Sequence, residues 1–539
     1  MRWWGWGEAH HAGAAPHRAA ALLEATLGVQ RIERGPVSLD EVALPPSGLD
    51  ADRRRALAAI VGEEGVRDDH RSRVVHAAGK GYPDLVRLRA GRPEGAPDAI
   101  LYPDSHEQVQ ALLHACADAR VAVVPWGGGT SVVGGVAPLP GGMDAVVALD
   151  LRRLGRLLAL DPVSELATVQ AGMRGPALEA ELGARGFTLG HFPQSFEFVS
   201  IGGCVATRSA GQASTGYGRI DELVLGLRAA TPAGEVSLPA FPASAAGPDL
   251  RELLVGSEGA LGVLTEVCLR VRPRPARRHY EGMFFRSFAE GVEALRVSAQ
   301  HDALPRVARL SDEAETRVSL ELAGQGSLRA RAGRAYLRAR GYGGGCLAIL
   351  GWEGEPEDVS RRRGTGLALL REHGGLQAGS SPGRQWERTR FEAPYLRDWL
   401  LDRGVLVETL ETATRWSRLD GLHRAVGAAL HETLGARGTP AVVMCHVSHL
   451  YETGASLYFT FLARQEPGAE IDQWQAAKSA ATEAILEHGG TLTHHHAVGR
   501  DHARWLGAEV GPLGLAALRA VKRELDPQGI MNPGKLLAG

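Results

Sequence analysis

The sequence predicts an α+β protein of several units, one of them a cofactor domain, and three observations carry that expectation. At 539 residues the chain is too long for one hydrophobic core, so about two to four units are expected. Strand and helix periodicities alternate from Ala99 to Asp150 as a β-α-β beginning. The β-branched run Val121-Ala122-Val123-Val124 then feeds Pro125-Trp126-Gly127-Gly128-Gly129-Thr130-Ser131, which places three consecutive glycines at a strand end.

Such glycines leave backbone N–H groups unobstructed, and Thr130 and Ser131 add hydroxyl donors, so the loop can solvate a diphosphate without a lysine. It is neither a P-loop, which needs Gly-Lys-Ser/Thr, nor a Rossmann fingerprint, whose glycines are spaced across a strand-to-helix turn. Alone, it would also fit a glycine-rich surface turn.

The chain opens with Trp3-Trp4-Gly5-Trp6-Gly7, an aromatic packing anchor. Amphipathic helices are expected over Ala15–Leu27 and Arg53–Ile60, before a segment from Arg73 to Leu88. Composition changes near Pro93–Pro97. Ala99–Tyr102 then reads as a strand, Ser105–Ala119 as a helix and Ala122–Pro125 as a strand. Further strands are expected at Ala145–Asp150, Leu157–Leu160 and Leu166–Ala171, and a helix at Arg174–Arg185. Beyond Pro273 come Leu347–Trp352, a helix Pro394–Leu401 and a strand Val405–Thr412.

Charge and cysteine content exclude several classes. A net charge of −2 gives no electrostatic case for nucleic acid. The five cysteines are scattered and never form a Cys-x-x-Cys pair, the pattern of a reduced, cytoplasmic protein. No apolar run has the length of a membrane span.

Two more stretches carry chemistry. In His191-Phe192-Pro193-Gln194-Ser195-Phe196-Glu197-Phe198-Val199 and the following Ile201-Gly202-Gly203-Cys204-Val205-Ala206-Thr207-Arg208-Ser209, small and hydroxyl residues let backbone line a flat ring system. Leu253 to Thr265 contains Gly256-Ser257-Glu258-Gly259-Ala260-Leu261-Gly262-Val263-Leu264, too interrupted by glycine for a core helix.

Together and in this order, the three stretches resemble flavoproteins of the vanillyl-alcohol-oxidase type. The C-terminal Leu525-Asp526-Pro527-Gln528-Gly529-Ile530-Met531-Asn532-Pro533-Gly534-Lys535 is similar to that family's ending. The resemblance implies a two-part FAD-binding domain, an α+β cap and a short helical N-terminal region. The expected boundaries are 1–92 for the N-terminal region, 93–272 for the FAD domain, 273–500 for the cap and 501–539 for a segment returning to the FAD domain. It also implies that Pro125–Ser131 hold the diphosphate, and that 193–199, 206–209 and 258–264 line the rest of FAD. No histidine stands near the glycine loop to tether the flavin, so FAD is expected to be non-covalent.

The second half resembles the ether-lipid branch, the alkyldihydroxyacetone-phosphate synthases. Where the redox relatives carry a His-Gly-Asp-Gly-Asn-His-like metal motif, this chain has Cys445-His446-Val447-Ser448-His449-Leu450-Tyr451. Where they later carry Glu-His-Gly-Ile-Gly, it has Thr493-His494-His495-His496. Tyr395-Leu396-Arg397-Asp398 echoes that branch's Tyr-Ile-Arg-Asp. The resemblance implies exchange of the acyl chain of acyl-dihydroxyacetone phosphate for a long-chain alcohol through a flavin–substrate adduct. Arg397 would bind the phosphate, Tyr451, its pKa lowered, would remove a proton, and His494, His495 and His496 would shuttle protons. The phosphorylated lipid-like substrate and the alcohol further imply peripheral contact with the inner face of a membrane, and a homodimer is expected.

Alternatives stand beside these roles. Residues alternate on a strand, so His494 and His496 would share one face with His495 opposite, and the tract could bind zinc. Arg397 could be a surface ion-pair partner of Asp398 or Asp402. The competing function is a FAD-dependent oxidase or dehydrogenase of a 2-hydroxy acid or alcohol.

Overall fold

The computed structural model describes residues 1–8, 19–29, 34–322 and 328–537, with side chains of 328–330 not described. The helix expected from Ala15 is seen from Ala19 to Leu27, since residues 15–18 lie outside the described set.

The first sheet grows from the β-α-β beginning read in the sequence. Strands Ala99–Leu101, Ala145–Asp150 and Val121–Trp126 run parallel in that spatial order, and Val66–Arg67 adds antiparallel at one edge. Helix His106–Asp118 makes the crossover; Ser105 caps it by accepting from Gln108 N at 3.2 Å. A five-stranded antiparallel sheet follows, ordered 157–161, 166–170, 263–270, 224–231, 234–238. Its inward Val, Leu and Ala side chains share one core with the first sheet.

The chain then builds a seven-stranded antiparallel sheet, ordered 376–379, 277–285, 346–354, 307–311, 442–450, 454–464, 405–415. Side chains alternate across it. In strand Gly454–Arg464, Ala455, Leu457, Phe459, Phe461 and Ala463 are fully buried in a second core. Helices 288–300, 356–372 and 416–436 close that face with Leu295, Leu367, Leu370, Leu422, Val426 and Leu430.

The N-terminal residues divide between the two cores. Leu57, Ala58 and Val61 belong to the first, whereas Leu23, Leu27, Tyr82 and Leu85 belong to the second. At the other end the chain returns to the first sheet. Val123 donates to Ile530 O at 2.8 Å and accepts from Asn532 N at 2.8 Å, and Asn532 Nδ2 ties Gly135 O to Glu258 O.

Asp501 abuts the turn after the glycine loop, its N–H on Val133 O. Burial pushes its carboxyl up to about 7, and Lys478 only partly opposes this. A carboxyl whose folded pKa lies above its unfolded value costs stability as pH rises between the two, because the unfolded chain ionises first. Asp501→Asn is therefore expected to match the wild type near pH 4 and to unfold at a higher temperature at pH 8, as thermal melts at the two pH values would read.

Candidate active site

The glycine loop leaves strand Val121–Trp126 and packs against residues 198–203. A Cβ on Gly127 would overlap Ser200 Oγ, and one on Gly128 would overlap the carbonyl oxygen of Phe198. Gly129 adopts φ +66°, open to glycine at no steric cost. Ser131 Oγ accepts from Gly135 N at 2.9 Å and stiffens the turn. Among the described residues, the N–H groups of Gly128, Gly129 and Thr130 bond to nothing. All seven residues of Pro125–Ser131 line one cavity of about 630 Å³. Three unspent donors at its rim are what a diphosphate requires, so the residues present fit FAD.

The other two stretches join this cavity in part. Pro193, Gln194, Ser195, Val199, Ala206, Thr207 and Ser209 line it, as do Glu258, Gly259, Gly262, Val263 and Leu264. Six expected residues do not. Phe196 stacks on Phe391 with ring centroids 5.6 Å apart, Glu197 accepts from Tyr395 OH at 3.1 Å, and the Phe198 ring meets Trp6 edge-on. Arg208 turns outward to Asp221 and Glu252. Ala260 and Leu261 are spent on packing. Glu258 faces the cavity but spends its carboxylate on Val498 N at 2.9 Å and Gly499 N at 2.6 Å, fastening the end of the histidine tract to this loop. Burial pushes that carboxyl up to about 7.

Above these loops stands the open face of the seven-stranded sheet. Arg309, Thr409, His446, Tyr458 and Thr460 line the cavity from four strands. A register shift between Val447 and His449 brings Ser448 and His449 to the same side. Tyr458 lies between two imidazoles, 5.0 Å from His446 at 23° and 5.8 Å from His495 at 18°. Its phenol is pushed up to about 12, mainly by burial, with Thr409 opposing. Tyr451 does not line the cavity. Burial pushes its phenol up to about 12 as well, Arg219 opposing, so the expected lowered pKa is corrected.

The histidine tract is not a strand. It wraps around Glu411, whose carboxylate accepts from Thr493 Oγ1 at 2.6 Å and from the N–H groups of His494, His495 and His496. His495 and His496 consequently both line the cavity and His494 does not, whereas a strand would have put His494 with His496 and His495 opposite. Burial drives His449 and His495 down to about 3 and His494 well below its ordinary value, so all three are neutral at pH 7. These three histidines lie close enough to hold one ion. Their nitrogens are largely taken: His449 Nε2 donates to Gly211 O at 2.8 Å, and its Nδ1 meets Ser456 Oγ at 3.2 Å.

Arg397 lines the cavity from helix Ala393–Leu401 and is no surface ion pair. Asp398 accepts from Trp6 N at 2.6 Å, Asp402 pairs with Arg89, and Arg397 Nη1 donates to Lys80 O at 2.6 Å. Its buried Nε has no partner among the described residues. The same cavity has an apolar lining in Leu22, Leu23, Leu322, Leu396, Leu400, Met444 and Leu462.

The fold and this cavity define a FAD-dependent flavoprotein. Residues 97–237 match the FAD binding domain family, and residues 274–536 the C-terminal domain of FAD linked oxidases. The alkyldihydroxyacetonephosphate synthase of Dictyostelium discoideum is 32% identical over 508 residues, covering 93% of this chain and 83% of that protein. The one from Trypanosoma brucei brucei is 33% identical over 504 residues, covering 92% and 82%. A solved structure of an alkyldihydroxyacetonephosphate synthase superposes with a TM-score of 0.86 at 29% identity, covering 99% of this chain and 98% of that one. This chain belongs to the alkyldihydroxyacetonephosphate synthase family. Its cofactor is FAD, bound non-covalently.

Proposed function

We propose that this chain replaces the acyl chain of acyl-dihydroxyacetone phosphate with a long-chain alcohol, the ether-forming step of ether-lipid synthesis. The observation that carries the reading is the set of groups that line one cavity: the flavin loops, Tyr458 and His495, Arg397 and Arg309, and a group of apolar side chains. Bound FAD supplies an electron-poor ring that can take a carbon nucleophile and give it back with no net redox change. Arg397 offers a planar fork to the phosphate. Tyr458 and His495, both neutral, hold and move protons at the reacting carbon. The apolar lining takes the departing and arriving chains, and so sets the protein against the inner face of a membrane. Among the described residues, no helix is long and apolar enough to cross one.

The test is to incubate FAD-loaded protein with acyl-dihydroxyacetone phosphate and hexadecanol. Ether product with stoichiometric fatty acid release is expected. Anaerobic bleaching of the flavin by a 2-hydroxy acid, without ether, would replace the reading with a redox enzyme. Arg397→Lys should raise KM for the phosphate substrate about 10-fold and leave kcat within about threefold, because an ammonium keeps the charge but loses the fork. Steady-state kinetics at saturating alcohol decide it.

A further inference from the structure

A neutral imidazole that removes a proton must become a cation or hand the proton on. At His495 the first course is opposed by burial, with Glu411 pulling the other way. Burial disfavours the imidazolium, and Glu411, 3.5 Å from His495 Nδ1, already accepts from three backbone N–H groups and Thr493. The second course is open. His495 Nδ1 lies 3.0 Å from His494 Nδ1, and His494 Nε2 lies 2.6 Å from Tyr451 OH. His494 and Tyr451 are absent from the cavity wall, and Tyr451 is only partly buried. Arg219, 17% exposed and paired with Asp221 at 3.0 Å, lies beside the phenol. Among the described residues, His495 Nε2 has no partner, which leaves it to the cavity.

We infer that His495, His494 and Tyr451 form a proton relay from the cavity to the outer side of the histidine tract, with Tyr451 as its outlet. This rests on the proposed synthase reading. The substrate C–H bond breaks, its electron pair stays on carbon, and the proton bonds to His495 Nε2. The hydrogen on His495 Nδ1 passes to His494 Nδ1, that on His494 Nε2 passes to the Tyr451 oxygen, and the original phenolic hydrogen leaves to water. Each ring ends neutral, having exchanged one tautomer for the other, so no buried charge is created along the chain. Run backwards, the same shift returns His495 Nε2–H to the cavity as an acid. His494 and Tyr451 touch no substrate and are positioning residues.

Tyr451→Phe removes the outlet and keeps the ring volume. With FAD content and KM unchanged, kcat is expected to fall about 10- to 100-fold. The solvent deuterium dependence of kcat should change from a curved proton inventory, with several protons moving together, to a straight line, with one. Imidazole in the buffer should restore part of the rate to Tyr451→Ala. A second readout is independent of turnover: in protein labelled with ¹⁵N-histidine and loaded with FAD, the ring nitrogen shifts of His494 should move in Tyr451→Phe as its tautomer changes. If wild-type protein makes no ether but the His494 shifts respond, the synthase reading fails and the hydrogen-bonded chain stands. If ether forms and Tyr451→Phe keeps wild-type kcat and inventory, the relay is overturned. A stoichiometric metal in the purified protein would also overturn it, because the ion would occupy the nitrogens the relay uses.

Discussion

Tyr458→Phe is expected to lower kcat by about 10³-fold while leaving the yellow protein folded and fully loaded, since one hydroxyl is removed and the ring stack is kept. The ring is held by contacts that phenylalanine preserves, with His446 on one side and His495 on the other. The hydroxyl is the group that phenylalanine lacks. At a phenol pushed up to about 12 it is protonated at working pH, so it acts first as a donor, and as a base only when the proton it gains can be passed on. The contrast with Tyr451→Phe separates the two tyrosines: the smaller, isotope-sensitive loss belongs to the relay outlet, and near-complete loss to the group in the cavity. Equal effects at both positions would refute this division. Single-turnover measurement of fatty acid release, with flavin absorbance as the loading control, supplies the comparison.

The sequence points to Tyr451, whereas the tyrosine that lines the cavity is Tyr458. Tyr451 is the tyrosine of the Cys445–Tyr451 motif on which the family resemblance rests. Tyr458 announces itself only once 454–464 is read as a strand, where Tyr458, Thr460 and Leu462 share one face and Leu457, Phe459 and Phe461 the other. That alternation is present in the sequence and could have found it. The sides of the histidine tract were not legible, because Glu411, about eighty residues upstream, gathers three consecutive N–H groups and prevents a strand. Arg309 was equally hidden, being one arginine among many until sheet order set strand 307–311 beside 442–450. The glycine loop could be read because close approach leaves little choice of residue. The strands feeding it, Ala145–Asp150 and Val121–Trp126, could be read because burial on both faces makes them continuous apolar runs.

What could not be read was the reason Gly128 is glycine, and this sets the second large effect expected. From sequence, a side chain there would intrude on the diphosphate. In the structure a Cβ there would meet the carbonyl of Phe198, an oxygen that also receives the Arg174 guanidinium. Gly128→Ala is therefore expected to push apart two loops that both line the cavity. Overpacking of this kind costs about 1–3 kcal/mol. A backbone oxygen cannot rotate away as a side chain does, so the upper end applies, or about 100-fold in FAD affinity. Gly435→Ala, in helix Trp416–Ala436 with open space around the added methyl, serves as control and should retain FAD at wild-type stoichiometry. Equilibrium dialysis of the apoprotein against FAD measures both. Wild-type affinity in Gly128→Ala would show that the loops can separate freely and that their packing does not set cofactor retention. Weakened binding with an unchanged near-ultraviolet dichroism from the cap core around Trp352, Phe285 and Phe459 would place the damage at the loops rather than in the global fold.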